Sequence, residues 1–281
     1  MGNDPRGPEQ NGSSVTTEPL IFATYLAPSL YPVYKFILDY TGDELGIKTE
    51  IVVGKNYKQI VRGESDVCFV CGLPYVLLTR HQDIPIEPIA APVLKGERYQ
   101  DKPIYFSDVI TQKETPWNSF DDLRGRSWAY NEPKSQSGYG ITLYKLLTMG
   151  ETKGFFGTVI ETGFHQKSIE SVAEGTIDAS AIDSQVLAVE FRENPELSNH
   201  LKIIDTLGPS TIQPAAVNTR MSESLKSDLQ SVLFKLGDTP RARQVLDFGM
   251  IDRFFPVNSS SYDDIRAMRT ACKSAGFTKL V

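Results

Sequence analysis

The sequence predicts an α/β protein built as two units, and three observations carry that expectation. The chain has 281 residues, well beyond a typical domain of ~150 residues. From Pro19 onward, short apolar runs alternate with stretches of helical period, the order that builds a sheet covered by helices. Two passages, near 103–111 and 213–219, read as extended strands. They suit two crossings between units better than a flexible tether.

The elements follow in order. LIFATYL, flanked by Pro19 and Pro28, is a first strand. Ser29 is placed to cap a helix to about Leu45, with Tyr31, Tyr34, Ile37, Leu38 and Leu45 at helical spacing and Gly46 as its stop. TEIVVG is a strand, KNYKQIVRG a short helix closed by Gly63, DVCFVCG a strand buried on both faces, and LPYVLLTRH a helix. This β-α-β-α-β order implies parallel pairing. After PIYFSDVIT, Ser119 and Asp122 mark the start of a short helix ending at Gly125. RSWAYN is a strand, SGYGITLYKLLTMG a loop entering a helix, and GTVIETG a strand. HQKSIESVAEG is a helix stopped by Gly175, and IDASAID and LKIIDTLG are strands. Beyond Pro214, AAVNTRM is a strand, and helices start from Ser222, Thr239 and Ser261. NSFDDLRGRS and SSYDDIRAMR share only a helix-start signature, which is capping chemistry and not an internal repeat.

Composition excludes several classes. The hydrophobic set is 40% and charged residues are 23%, ordinary globular usage that excludes a disordered or collagenous chain. Lys plus Arg is 29 against 35 for Asp plus Glu, a net charge of −6. That balance argues against a nucleic-acid partner, whose phosphates are met by concentrated Lys and Arg. The longest mainly apolar run, 67–78, is broken by Gly72 and Pro74, so no membrane insertion is expected. Three cysteines make no disulfide framework. Residues 1–18, rich in Gly, Pro, Asn and Ser with no apolar stretch after a basic start, read as a disordered tail and not a signal peptide.

The densest local chemistry lies in NEPKSQSGYG, residues 131–140, between a strand and a helix. Helix starts present unpaired N–H groups and the positive end of the macrodipole, so they attract anions. Ser135 and Ser137 add hydroxyl donors, and the amides from Gln136 to Tyr139 complete a phosphate-sized cradle. The plainer alternative is that Ser137 caps the helix. A nucleotide P-loop is excluded because no Gly-Lys-Ser/Thr follows. His165 opens a helix just after a strand, at the carboxyl edge where parallel sheets bind ligands. Asp183 and Gln185 close the strand IDASAID at that same edge, and Gln213 ends PSTIQP. Tyr25, Tyr57 and Tyr75 sit near loop edges, where each ring could wall a cleft.

Three other chemistries have their residue types in the chain but not their spacing or surroundings. Ser135, His165 and Asp183 supply the residue types of a hydrolase triad, but the order Ser…His…Asp and the turn SQSGYG match no nucleophile elbow. No catalytic residue is assigned. Cys68 and Cys71 form a C-x-x-C inside an apolar run, where small buried thiols are routine. His81 and His200 stand alone without ligand spacing, so no metal or other cofactor is expected.

Taken together, FATYLAPSLYPVY, SDVCFVCGLPYVLL, NEPKSQSGYG, TGFHQKSIESVAEGTIDASAIDSQ and GPSTIQPAAV resemble, in order and spacing, the phosphate/phosphite/phosphonate substrate-binding proteins of ABC transporters. The resemblance runs from about Pro19 to the C-terminus. It implies the type 2 periplasmic binding protein fold, with two lobes, two crossing strands and a ligand cleft between them. Lobe one would take 19–106 plus 214–281, and lobe two 107–213. It implies a binding protein and not an enzyme, with a small oxyanion as ligand, an ABC permease as partner and an extracytoplasmic location. Without a signal peptide the alternative is a cytoplasmic sensory module, or an enzyme on the same fold. By position, Tyr57, Ser135, Gln136, Ser137 and His165 match the residues that grip phosphonyl oxygens, with Tyr25, Tyr75 and Gln185 shaping the walls. Gln185 and Gln213 stand where aminophosphonate binders carry acids, so the resemblance implies preference for phosphate, phosphite or an uncharged-tail phosphonate.

Overall fold

The computed structural model describes residues 18–80 and 85–280. The tail expected over 1–18 falls, apart from Glu18, outside the described residues, as does His81.

The first half alternates as its pattern dictates: β1 (Leu20–Thr24), α1 (Tyr31–Leu45), β2 (Thr49–Val53), α2 (Lys58–Val61), β3 (Val67–Phe69), α3 (Gly72–Leu78) and β4 (Ile86–Leu94). The middle continues with β5 (Ile104–Gln112), β6 (Ser127–Tyr130), α4 (Ile141–Thr148), β7 (Thr158–Glu161), α5 (His165–Ala173), β8 (Ala179–Asp183), α6 (Ser184–Glu193), α7 (Leu197–His200) and β9 (Leu201–Thr211). The chain then adds β10 (Ala215–Asn218), α8 (Glu223–Lys235), α9 (Pro240–Phe248), β11 (Ile251–Pro256) and α10 (Asp263–Ser274).

Two sheets result. One has the order β11-β4-β10-β3-β1-β2 and the other β7-β6-β8-β5-β9. β1 pairs in parallel with β2 and β3, as the β-α-β-α-β order requires. β10 and β11 enter antiparallel, so the first sheet is mixed. β4 and β11 carry no clean alternation, and β4 contains Pro88 and Pro92. That is why the pattern did not announce them.

Several local expectations are corrected. Ser29 caps nothing: Pro28–Leu30 form a 3₁₀ turn leading into α1, and no side chain bonds the helix start. Ser261 is the third residue of a capping box whose cap is Asn258. The strand expected to cross near 103–111 belongs wholly to the second sheet, pairing with β8 and β9. The first crossing is 95–103, a bent segment containing the 3₁₀ turn Glu97–Tyr99 and pinned by Arg98, whose guanidinium donates to Asp108 at 2.7 and 3.1 Å. The second crossing runs beside it, with the Ile212 N–H bonded to the Pro103 carbonyl at 3.0 Å.

The C-terminal stretch, expected with lobe one, packs in both clusters: Val257, Tyr262 and Ile265 are buried with the first sheet. α10 packs on both α3 and α4, and Cys272, Phe277 and Leu280 are buried in the second sheet's hydrophobic cluster. The cause is the apolar face that α4 leaves open beside β9, which these side chains cover.

Candidate functional site

Loops from both sheets meet around a cavity of about 610 Å³. Its second-sheet wall begins at the single π-helical turn Gln136–Gly140 that feeds α4. Ser135, not Ser137, caps this turn: its Oγ accepts from the Gly138 N–H at 3.0 Å. Ser137 is thereby left to face the cavity, 2% exposed, with its Oγ 3.0 Å from His165 Nε2. Gly138 lets Asn131 approach the turn closely: a Cβ there would stand 2.1 Å from Asn131 Oδ1, so that side chain would have to shift. His165 opens α5, and burial lowers its pKa to about 4, so the imidazole is neutral at ordinary pH. The hydroxyl of Tyr105, fully buried near Ser137, makes no well-formed hydrogen bond among the described residues.

Asp183 caps α6, accepting from the N–H groups of Gln185 and Val186, and its other oxygen accepts from Gln213 Nε2. It is 2% exposed, and desolvation raises its pKa to about 6. Both Asp183 and Gln213 line the cavity.

The opposite wall is aromatic. Tyr25 stacks on Tyr57 with ring centroids 5.3 Å apart, and its ring occupies the space where a Cβ on Gly54 would stand, 2.0 Å away. Tyr57 reaches across the cleft, its hydroxyl donating to Glu132 Oε1 at 2.7 Å. Burial, then the Glu132 carboxylate, holds the Tyr57 phenol far above its usual range. Burial raises Tyr25 to about 12. Other bonds join the two walls: Gln166 Nε2 donates to Ser29 Oγ at 2.7 Å, and the Gln136 N–H donates to Cys71 Sγ at 3.4 Å.

The cavity thus gathers Tyr25, Tyr57, Ser135, Ser137, His165, Asp183 and Gln213. Three expected residues are placed elsewhere. Tyr75 is 1% exposed inside α3, where its ring meets Tyr262 at 4.9 Å, because that face of the helix is sandwiched against the C-terminal segment. Gln185 turns away and donates to the Gly249 carbonyl at 2.7 Å, satisfying an acceptor left open where α9 ends. The Gln136 side chain likewise leaves the cavity to donate to Ser210 Oγ at 3.1 Å, and its N–H is committed to Cys71. The run of amides expected to cradle an anion is therefore already partly occupied by the protein.

Sequence reasoning missed Glu132, Asn131, Tyr31 and Tyr34, all of which line the cavity. Glu132 and Asn131 stood within the quoted motif without a role, and nothing in their spacing marks them as inward-facing. Two carboxylates, Asp183 and Glu132, face the cavity. The argument that neutral amides replace the acids against a ligand cation consequently loses its basis. The hydrolase arrangement is also absent: the His165 Nδ1 atom has no partner among the described residues, while Asp183 bonds Gln213 and the start of α6. Among the described residues no group of His, Cys, Asp or Glu is arranged to hold a metal ion. All three cysteines are free and buried; burial raises Cys71 to about 11 and Cys68 to about 12, so neither is a reactive thiolate.

The model of the ABC transporter, phosphonate, periplasmic substrate-binding protein family matches residues 20–262. A probable ABC transporter phosphite binding protein from Prochlorococcus marinus is 24% identical over 172 residues, covering 57% of this chain. The aligned region spans 58% of that relative's length. In structure, the chain is similar to a binding protein component of an ABC phosphonate transporter from Pseudomonas aeruginosa, with a TM-score of 0.78 at 16% identity over 93% of this chain and 90% of that one. It is also similar to the Prochlorococcus marinus PhnD1 protein in complex with methylphosphonate, with a TM-score of 0.74 at 18% identity over 92% and 99%. These matches give a two-lobed periplasmic-binding-protein fold. The family is a substrate-binding transporter component and not an enzyme, and this chain belongs to it: the phosphonate-binding periplasmic substrate-binding proteins of ABC transporters.

Proposed function

We propose that the chain captures a phosphorus oxyanion (phosphonate, phosphite or phosphate) in this cleft and hands it to an ABC permease. One observation carries the reading: the buried Ser137 hydroxyl, fixed by His165 at the start of a helix and facing Tyr57 across the cavity. In the tautomer with Nε2 protonated, His165 donates to Ser137 Oγ and leaves the Ser137 proton for the ligand. His165 then works as a positioning residue, and its neutrality keeps that arrangement intact down to acid pH. Hydrogen bonds to a charged group contribute ~1.5–3 kcal/mol each. Three or four of them, less association costs, suffice for micromolar binding at about −8 kcal/mol.

Lobe one would comprise the first sheet and its helices, and lobe two the second, hinged at 95–103 and 212–214. The walls already meet through the Tyr57–Glu132 bond, so this is the closed arrangement, in which water is excluded and fixed donors face the ligand. An extracytoplasmic location and a permease partner follow from the family's role. Among the described residues no helix is long and apolar enough to cross a membrane.

The test is a thermal-shift panel on phosphate-free protein with phosphate, phosphite, methylphosphonate, 2-aminoethylphosphonate and sulfonates. Ligand at 100 times its Kd stabilises by ~2.7 kcal/mol, a rise of several degrees in Tm for a chain of this size. Ser137→Ala is expected to weaken binding roughly thirtyfold, since about 2 kcal/mol is lost with one charge-assisted bond. No shift with any phosphorus oxyanion would overturn the assignment.

A further inference from the structure

The cavity is too large and too apolar on one side for a bare oxyanion. It measures about 610 Å³. Phosphite or methylphosphonate takes the space of roughly three to four waters, on the order of 100 Å³. Further closing does not take up the difference, because the walls already meet at ideal hydrogen-bond distances: Tyr57 to Glu132 at 2.7 Å and Gln166 to Ser29 at 2.7 Å. Pro28, Tyr31 and Leu26 are among the residues that line the cavity, beside the polar Lys55, Asn56, Asn131 and Glu132.

Two side chains make the surplus informative. Phe164, next to His165, is 58% exposed, and Val53, at the end of β2, is 63% exposed. Val53 ends β2 of the first sheet and Phe164 lies between β7 and α5, yet both line this one cavity. Exposed apolar side chains scattered singly need no explanation, but two that converge on one pocket beside an anion-binding turn mark a surface to be covered.

We infer that the ligand is a phosphonate or phosphomonoester whose phosphorus group carries a flat apolar body, of the size of an aryl ring, seated between Phe164 and Val53. This rests on the oxyanion reading and specifies the rest of the molecule. The phosphorus oxygens sit at Ser137, and the ring runs outward along the Tyr25–Tyr57 stack, covering the Phe164 face. Aromatic contact of that kind adds affinity without adding charge.

The experiment is calorimetric titration of the phosphate-free protein with methylphosphonate and phenylphosphonate, repeated with Phe164→Ala and Val53→Ser. Phenylphosphonate is expected to bind at least about tenfold tighter than methylphosphonate, as burial of about half a ring's surface gives. Each variant is expected to narrow that ratio, with circular dichroism and Tm establishing that both still fold. Equal affinity for the two ligands, or a preference unchanged in both variants, overturns the inference and leaves the oxyanion reading standing. Failure of every phosphorus oxyanion to bind overturns both.

Discussion

The two walls of the cleft solve the same problem differently. On the second-sheet side, Ser135, Ser137, His165 and Asp183 are short side chains, 2–6% exposed, and each is bonded within its own wall or to the adjacent crossing. Their positions are set by the backbone of a strand-to-helix turn, and little entropy remains to be lost on binding. On the first-sheet side, Tyr25 and Tyr57 are long and half-buried, held by stacking and by one bond across the gap. Short polar groups give a fixed template, whereas long aromatic arms adjust to what the template holds. On the proposed function, specificity for the oxyanion head would belong to one wall, and tolerance toward the rest of the ligand to the other.

The largest expected effect breaks the fixed wall through its charge balance. Burial raises Asp183 to about 6 and lowers His165 to about 4. A carboxyl with a raised folded pKa contributes stability below its unfolded value of 3.8 and loses it as pH rises through about 6. A histidine with a lowered folded pKa does the reverse, losing stability as pH falls from 6.5 toward about 4. The two slopes oppose each other over nearly the same window. Asp183→Asn removes one of them, so denaturant titrations of the variant are expected to show a loss of about 3 kcal/mol relative to wild type between pH 6 and pH 4. Parallel profiles for the two proteins would refute the opposition.

A middle-sized effect tests the adjustable wall. Tyr57→Phe keeps the stack on Tyr25 and removes the bond to Glu132, leaving that carboxylate to water. Oxyanion affinity is expected to fall about fivefold, near 1 kcal/mol, less than for Ser137→Ala. The smallest effect concerns the ligand's tail. With Asp183 and Glu132 both at the cavity, 2-aminoethylphosphonate is expected to bind within a few-fold of ethylphosphonate in direct titration. A large preference for the uncharged tail would restore the neutral-amide argument.

The fixed wall was also the more legible one. Ser135, Ser137 and His165 stand at strand-to-helix junctions, where chain order alone fixes the edge of the sheet they occupy. The direction of a side chain within a helix's first turns is less accessible. Gln136 and Gln185 look like pocket residues in sequence, yet both turn to satisfy groups on neighbouring elements, Ser210 and Gly249. Tyr75 failed for another reason: Tyr262, which packs on it just ahead of α10, lies far along the chain, and no local period reports such a partner. Asp183 and Gln213 were found by their shared edge, but their mutual bond, which empties part of the expected polar rim, depends on how two distant loops meet.

The placement of α10 has a mechanical side. β1 lies in the first sheet, whereas the helix that follows the last strand of that same sheet is packed against α4 of the second. Yet its Ile265 is buried with the first core and its Cys272 with the second, so α10 is a strap riveted to both bodies. Any widening of the cleft has to peel or slide this strap from one of its two seats, which sets a mechanical stop on how far the lobes can part. Cutting the strap after Pro256 would remove that stop along with a share of both cores.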